Sequence, residues 1–169
     1  NVIGGGDWTL DRIVPDCLAS FSENKKLIIR YPKSIRPWQH VLEPLYGYLL
    51  LAEKLYSPKG VNFAKAWNFG PKKENNTNVY ELAKKLKKVT KSKSKIINSK
   101  IKNFLEARYL YLDSSKSVKF LQWKKILNLK QTLNLVNEWH QEFLKKKDLR
   151  KITISQIKYF TKAFDEKKI

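Results

Sequence analysis

The residues best suited to chemistry in this chain are its arginines, because they are the scarce cations. Of 35 basic residues only Arg12, Arg30, Arg36, Arg108 and Arg150 are arginines. Arg36 stands in Arg36-Pro37-Trp38-Gln39-His40-Val41. A guanidinium beside a rigid proline and a tryptophan is suited to hold a phosphate, since packing fixes its fork. The same spacing serves equally well for an arginine stacked on Trp38 for stability. Other candidates are weaker. The run Gly4-Gly5-Gly6 lacks the spaced glycines of a dinucleotide fingerprint and mainly permits tight turning. Neither a P-loop nor a nucleophile-elbow serine is present. Two histidines and one cysteine are too few for a typical zinc site. His40 and His140 read as structural or exposed side chains rather than catalytic bases. Cys17, flanked by Ile13, Val14, Leu18 and Phe21, reads as a packing residue on one helix face.

The elements that must position these residues follow from hydrophobic periodicity. A helix is expected over 11–21, with Pro15 tolerated near its first turn. Lys26 to Tyr31 (KLIIRY) reads as a strand ended by Pro32. Apolar residues at 42, 45, 46, 49, 50, 52, 55 and 56 predict a largely buried helix, stopped by Ser57-Pro58-Lys59-Gly60. Ala66 to Phe69 reads as a short strand. Val79, Leu82, Ala83, Leu86 and Val89 predict a helix capped by Asn78, with Glu81 supporting its first-turn amides. Strands are expected over 95–99 and 107–112. Asp113 should cap a helix reaching Leu121, Leu129 to Phe143 should form another, and a helical tail from Leu149 should dock on the body. The mixed order makes an α/β or α+β chain, too short to own a complete parallel sheet.

Composition narrows the function classes. With 42% apolar residues the 169-residue chain is not disordered. Its longest greasy stretch, 41–56, is broken by Glu43, Glu53 and Lys54, so no membrane-spanning helix is expected. The first residues have the features of no signal peptide. A single cysteine forms no intramolecular disulfide and suits a reducing cytoplasm. Methionine is absent altogether, which suggests a fragment or an incomplete reading frame. The net charge of +20 lies mostly in residues 72–169 and is mostly lysine. Such a surface attracts polyanions in low salt, but specific readers of base edges favour arginine. No specific nucleic-acid partner is therefore expected, although a basic nucleic-acid-binding module remains the rival reading from another class.

Three segments are idiosyncratic: NVIGGGDWTLDRIVPD at 1–16, IRPWQHVLEPLYGYLLLAEKLY at 35–56 and AWNFGP at 66–71. Together they resemble the CDP-glucose 4,6-dehydratases of the extended short-chain dehydrogenase/reductase family, with weaker matches at EARYLYLDSSKSVKFLQW (106–123) and in the tail from Leu149 to Tyr159. The resemblance implies a Rossmann domain for NAD and a smaller carboxyl-terminal domain that closes over a sugar nucleotide. This chain then reads as α/β, the carboxyl-terminal substrate-binding part of that Rossmann-like fold, with the amino-terminal NAD domain largely absent. Residues 1–148 would form the sugar-nucleotide-binding portion, its strand near 66–69 rejoining the missing sheet, and 149–169 the helical tail.

The family's activity is a lyase reaction converting CDP-glucose to CDP-4-keto-6-deoxy-glucose, a step toward deoxysugars of surface polysaccharide. Its Ser/Thr-Tyr-Lys group and glycine-rich NAD loop would lie upstream of residue 1, so no catalytic or cofactor-binding residue is assigned and the isolated chain is expected to be inactive. The resemblance assigns the nucleotide end of the substrate to Asn1, Arg12, Arg36, Asn68 and Arg108, and the base edge to backbone groups of Leu27 to Arg30. Full-length relatives are expected to be homodimers. An epimerase or dehydratase for another nucleotide is the alternative within the family. Departures from the family pattern are Gln122 in place of a glycine before Trp123, Lys125 in place of a proline, and Asn103-Phe104-Leu105 in place of a His- and Pro-rich segment.

Overall fold

The computed structural model describes residues 1–71, 76–99 and 107–166. Its first half contains β1 (Val2–Ile3), α1 (Ile13–Ser22), β2 (Leu27–Ile29), β3 (Ile35–Arg36), β4 (Gln39–His40), α2 (Leu42–Leu55) and a 3-10 turn at Gly60–Phe63. Its second half contains β5 (Thr77–Asn78), α3 (Val79–Thr90), β6 (Ile96–Asn98), α4 (Ser115–Leu121), α5 (Leu129–Leu144) and α6 (Leu149–Glu166). The strands form three two-stranded pairs. β1 runs parallel to β4 and β2 parallel to β6, while β3 lies antiparallel to β5.

The main core gathers one face each of α1, α3 and α5 over β2. Val14, Cys17, Leu18 and Phe21 supply the α1 face, spaced three and four residues apart as a helix stripe requires. They meet Leu82, Ala83 and Leu86 of α3 and Leu133 and Val136 of α5. Each fully buried leucine contributes on the order of 2 kcal/mol. Cys17 is buried in this cluster, and burial, with the charge of Asp16, pushes its thiol pKa well above the ordinary value. It is therefore a packing residue without nucleophilic character at neutral pH. The expected Asn78 cap is present, whereas α4 has Ser114 and not Asp113 at its N-cap position. The Asn78 side chain accepts from the Glu81 amide at 2.8 Å, and α5 opens with a reciprocal capping box between Asn128 and Gln131. The Asp113 carboxylate accepts from the Ser115 amide at 2.9 Å at the start of α4.

Three expectations are corrected. Ala66 to Phe69 forms no strand; the segment is tied down instead by side chains, with Gln39 Nε2 donating to the Phe69 carbonyl at 2.7 Å and Ser117 Oγ to that of Asn68. No neighbouring strand among the described residues pairs with it. Residues 107–112 make one isolated bridge, Tyr109 with Ile35, in place of a strand. The α2 helix is present but not largely buried: Leu49 is 71% and Tyr56 97% exposed, and only Glu43, Pro44 and Gly47 are buried. Its apolar positions run all round the helix, but the rest of this chain packs against one side.

Glu43 explains how that side is held. Its carboxylate is fully buried and accepts from the Ile126 amide at 3.1 Å and the Leu127 amide at 2.6 Å, while its backbone carbonyl takes the Trp123 indole N–H. A charge that merely interrupts a greasy run in the sequence thus pins the 122–128 connection to α2. Within that connection Gln122 has φ 54, the left-handed region that favours glycine. The substitution at 103–105 lies outside the described residues.

Candidate anion-binding cleft

Between the end of β1, the segment leading into α1 and the end of β2 lies a cleft of about 460 Å³. Asn1, Arg12 and Arg36, three of the five residues singled out from sequence, line it together. Arg36 is placed there by rigid neighbours. Its strand pairs with β5, opposite Thr77, and Trp38, 3% exposed, donates its indole N–H to the Thr77 carbonyl at 3.0 Å. Arg36 is 7% exposed, and its guanidinium donates to the Ile35 carbonyl at 2.8 Å. Asn1 is set by β1, its backbone carbonyl accepting from the Gln39 amide at 3.0 Å.

Asn68 and Arg108 do not line this cleft. Asn68 is exposed and donates its side-chain amide to the Asp113 carbonyl at 3.2 Å. Arg108 is also exposed, and its backbone carbonyl accepts from Ile35, one residue before Arg36. It borders the arginine strand without facing the cleft.

Arg30, whose side chain the sequence reading did not single out, is the third guanidinium in the cleft. The signal was available in the alternation of β2: Leu27 and Ile29 are buried, whereas Ile28 and Arg30 point the other way. The β2 backbone is partly committed to β6, since Leu27 N–H donates to Lys95 and the Ile29 carbonyl accepts from Ser99.

Three carboxylates accompany the three arginines. Arg12 lies 3.5 Å from Asp7 and Arg30 lies 3.0 Å from Asp11. Burial pushes the Asp7 carboxyl up, but the Thr9 amide and Arg12 outweigh it, and the net shift is downward. Asp16 shifts the other way: burial raises it first and Asp11 adds to this, with Arg30 only partly compensating. Partly exposed pairs of this kind are worth about 0–1 kcal/mol. A ligand with two phosphate charges can therefore draw Arg12 and Arg30 from their carboxylates.

The structure offers no dinucleotide cradle at the glycine run. A Cβ on Gly5 would sit 2.1 Å from the Trp139 ring, so the run is closed by protein and not open to a pyrophosphate. Among the described residues no group of three His, Cys, Asp or Glu side chains could hold a metal ion, and no helix is long and apolar enough to cross a membrane.

The fold is that of part of the extended short-chain dehydrogenase/reductase epimerases and dehydratases. UDP-glucuronic acid 4-epimerase from Bacillus cereus, solved with UDP-glucuronic acid and NAD, superposes with a TM-score of 0.71 at 17% identity, over 85% of this chain and 43% of that one. UDP-glucose 4-epimerase from Thermotoga maritima, solved with UDP-glucose, gives 0.70 at 20% identity, over 85% and 44%. By sequence the chain is similar to CDP-glucose 4,6-dehydratase of Salmonella typhimurium strain LT2, with 42% identity over 149 residues, 88% of this chain. It spans 41% of the length of that relative. No protein-family profile matches the chain.

Proposed function

We propose that this chain is the carboxyl-terminal, sugar-nucleotide-binding portion of a CDP-glucose 4,6-dehydratase, and that the cleft receives the diphosphate of CDP-glucose. The observation that carries this reading is the buried Arg36 lining one cleft with Asn1, Arg12 and Arg30. Similarity to a CDP-glucose 4,6-dehydratase over 88% of the chain supports the choice of cytidine nucleotide.

In this reading Arg36 binds the phosphates directly, Arg12 and Arg30 close on them from the rim, and Asn1 donates to the same group. Charge-assisted bonds of this kind are worth about 1.5–3 kcal/mol each. Asn68 and Arg108 would contribute only if the 66–71 and 107–112 segments moved toward the cleft on binding. NAD and the catalytic groups would be supplied by protein outside this chain, as would the homodimer contact of the full-length enzyme, and the isolated chain would bind without turning over. A cytoplasmic setting follows from the same assignment.

Calorimetric titration of the chain with CDP, CDP-glucose, UDP and dTDP tests this reading. Saturable binding of CDP and CDP-glucose, tighter than UDP and dTDP, is the expected result. Preference for UDP or dTDP would move the chain to a sibling epimerase or dehydratase, and no binding of any nucleotide diphosphate would remove the proposal.

A further inference from the structure

The segment between β1 and α1, residues 4–12, carries Asp7, Asp11 and Arg12, and so forms one wall of the cleft. It belongs to neither a helix nor a strand, and its internal ties both run to the Asp7 carboxylate, from the Thr9 amide at 3.1 Å and from Arg12 at 3.5 Å. What lies against its other side is α5. The Gly5 backbone rests on Trp139, and Trp8 sits over the same helix with ring centroids 4.5 Å from Phe143, 6.2 Å from Trp139 and 6.1 Å from His140.

That helix face is itself anchored from both sides. Trp139 donates its indole N–H to Thr153 of α6 at 3.1 Å. His140 lies 2.9 Å from Ser22 at the end of α1. The Ser22 hydroxyl is spent as a donor on the Leu18 carbonyl at 2.7 Å, so the imidazole N–H donates and Ser22 accepts. Offset and tilted aromatic contacts of this geometry are directional enough to fix a loop.

We propose that Trp8, seated on the aromatic face of α5, is a positioning residue that holds the 4–12 segment so that Arg12 faces the ligand's phosphates. Trp8 does not line the cleft itself; it acts through the three residues that separate it from Arg12. The assignment rests on the functional reading above, and it adds a link from α5, far along the chain, to the phosphate end of the site.

The test is a double-mutant cycle in the full chain, W8A and R12A singly and together, read by CDP affinity. Trp8 is 53% exposed, so W8A should fold. W8A is expected to weaken CDP binding by about 10-fold in the wild-type background and by less than about 2-fold in the R12A background, because the two residues act as a unit. W8F should recover most of the loss. Hydrogen exchange of the amides of residues 7–12 gives a readout independent of ligand, with W8A expected to speed it. If wild type binds CDP but the W8A and R12A effects simply add, or exchange in the segment is unchanged, Trp8 does not position Arg12. If wild type binds no nucleotide diphosphate at all, the functional reading falls and the positioning role falls with it. Loss of folding in W8A would show Trp8 to be a core residue; F143L, which thins the same contact, then decides by the same cycle.

Discussion

Two regions of this molecule are strongly cationic and differ in almost everything else. In the cleft three arginines face three aspartates, and Arg36 is buried on a strand paired with β5. Along α3, Lys84, Lys87, Lys88 and Lys91 fall at spacings of three and four and border an open groove with Tyr80 and Ser92. Lys84 pairs with Glu81 at 3.2 Å, but the stripe as a whole sets like charges next to one another. The lysine stripe holds more positive charge, and the cleft holds more organisation. Affinity for a particular phosphate ligand comes from the second property, because flexible ammonium groups must be immobilised on binding whereas a packed guanidinium is already in place.

The largest test of that contrast is Arg36→Ala. Removing the buried guanidinium should weaken CDP binding by about 100-fold, as loss of a charge-assisted pair of bonds implies; thermal melting of the same variant separates lost binding from lost folding. A loss no greater than that for a surface lysine would break the comparison.

The dry side of the cleft strands should also be visible in pH dependence. His40 on β4 is buried, its Nδ1 accepting from the Leu42 amide at 3.3 Å, and burial lowers its pKa to about 4. Unfolding frees the imidazole to titrate near its ordinary 6.5, so the unfolded chain takes up the proton first as the pH falls. Stability from this group is complete above pH 6.5 and is lost between 6.5 and about 4, by about 3 kcal/mol in all. Denaturant titration of wild type and His40→Gln across that range measures it, with a flatter profile expected for the variant.

A smaller effect is expected at the rim. Asp16 lines the cleft and its pKa is raised, chiefly by burial and then by Asp11. A raised carboxyl pKa favours the protonated folded form, so its ionisation weakens the fold as the pH rises through the folded value. Asp16→Asn should therefore reduce this part of the pH dependence and tighten CDP binding by about 2–3-fold, by removing a negative charge beside the phosphates. Weaker binding would mean that Asp16 takes part in holding the ligand.

Least affected should be the triple variant K84Q/K87Q/K88Q. CDP affinity should stay within about 2-fold at 0.15 M salt, and relief of like-charge neighbours should raise stability by a few tenths of a kcal/mol. A large loss of CDP affinity would place the ligand on α3 and overturn the assignment of the cleft.

Much of this was legible in the chain itself. The one-sided stripe of α1, the Asn78 cap of α3 and the burial of Cys17 follow from local periodicity and side-chain chemistry, and the structure agrees with each. The strand at 66–69 and the burial of α2 were misjudged because both depend on what packs against them, which periodicity does not specify. Arg30 could have been found from strand alternation, whereas Glu43 could not, since its partners at 126 and 127 are more than 80 residues away.

Sequence by itself determined the helices, whose periods rest on neighbours a few residues apart, and the resemblance to sugar-nucleotide dehydratases, which rests on contiguous segments. Tertiary structure alone decided which arginines share a cleft, which of them meet carboxylates, and that Trp8 rests on a helix beginning at Leu129. Those outcomes depend on side chains brought together from distant parts of the chain, and the interactions that join them leave no local period to read.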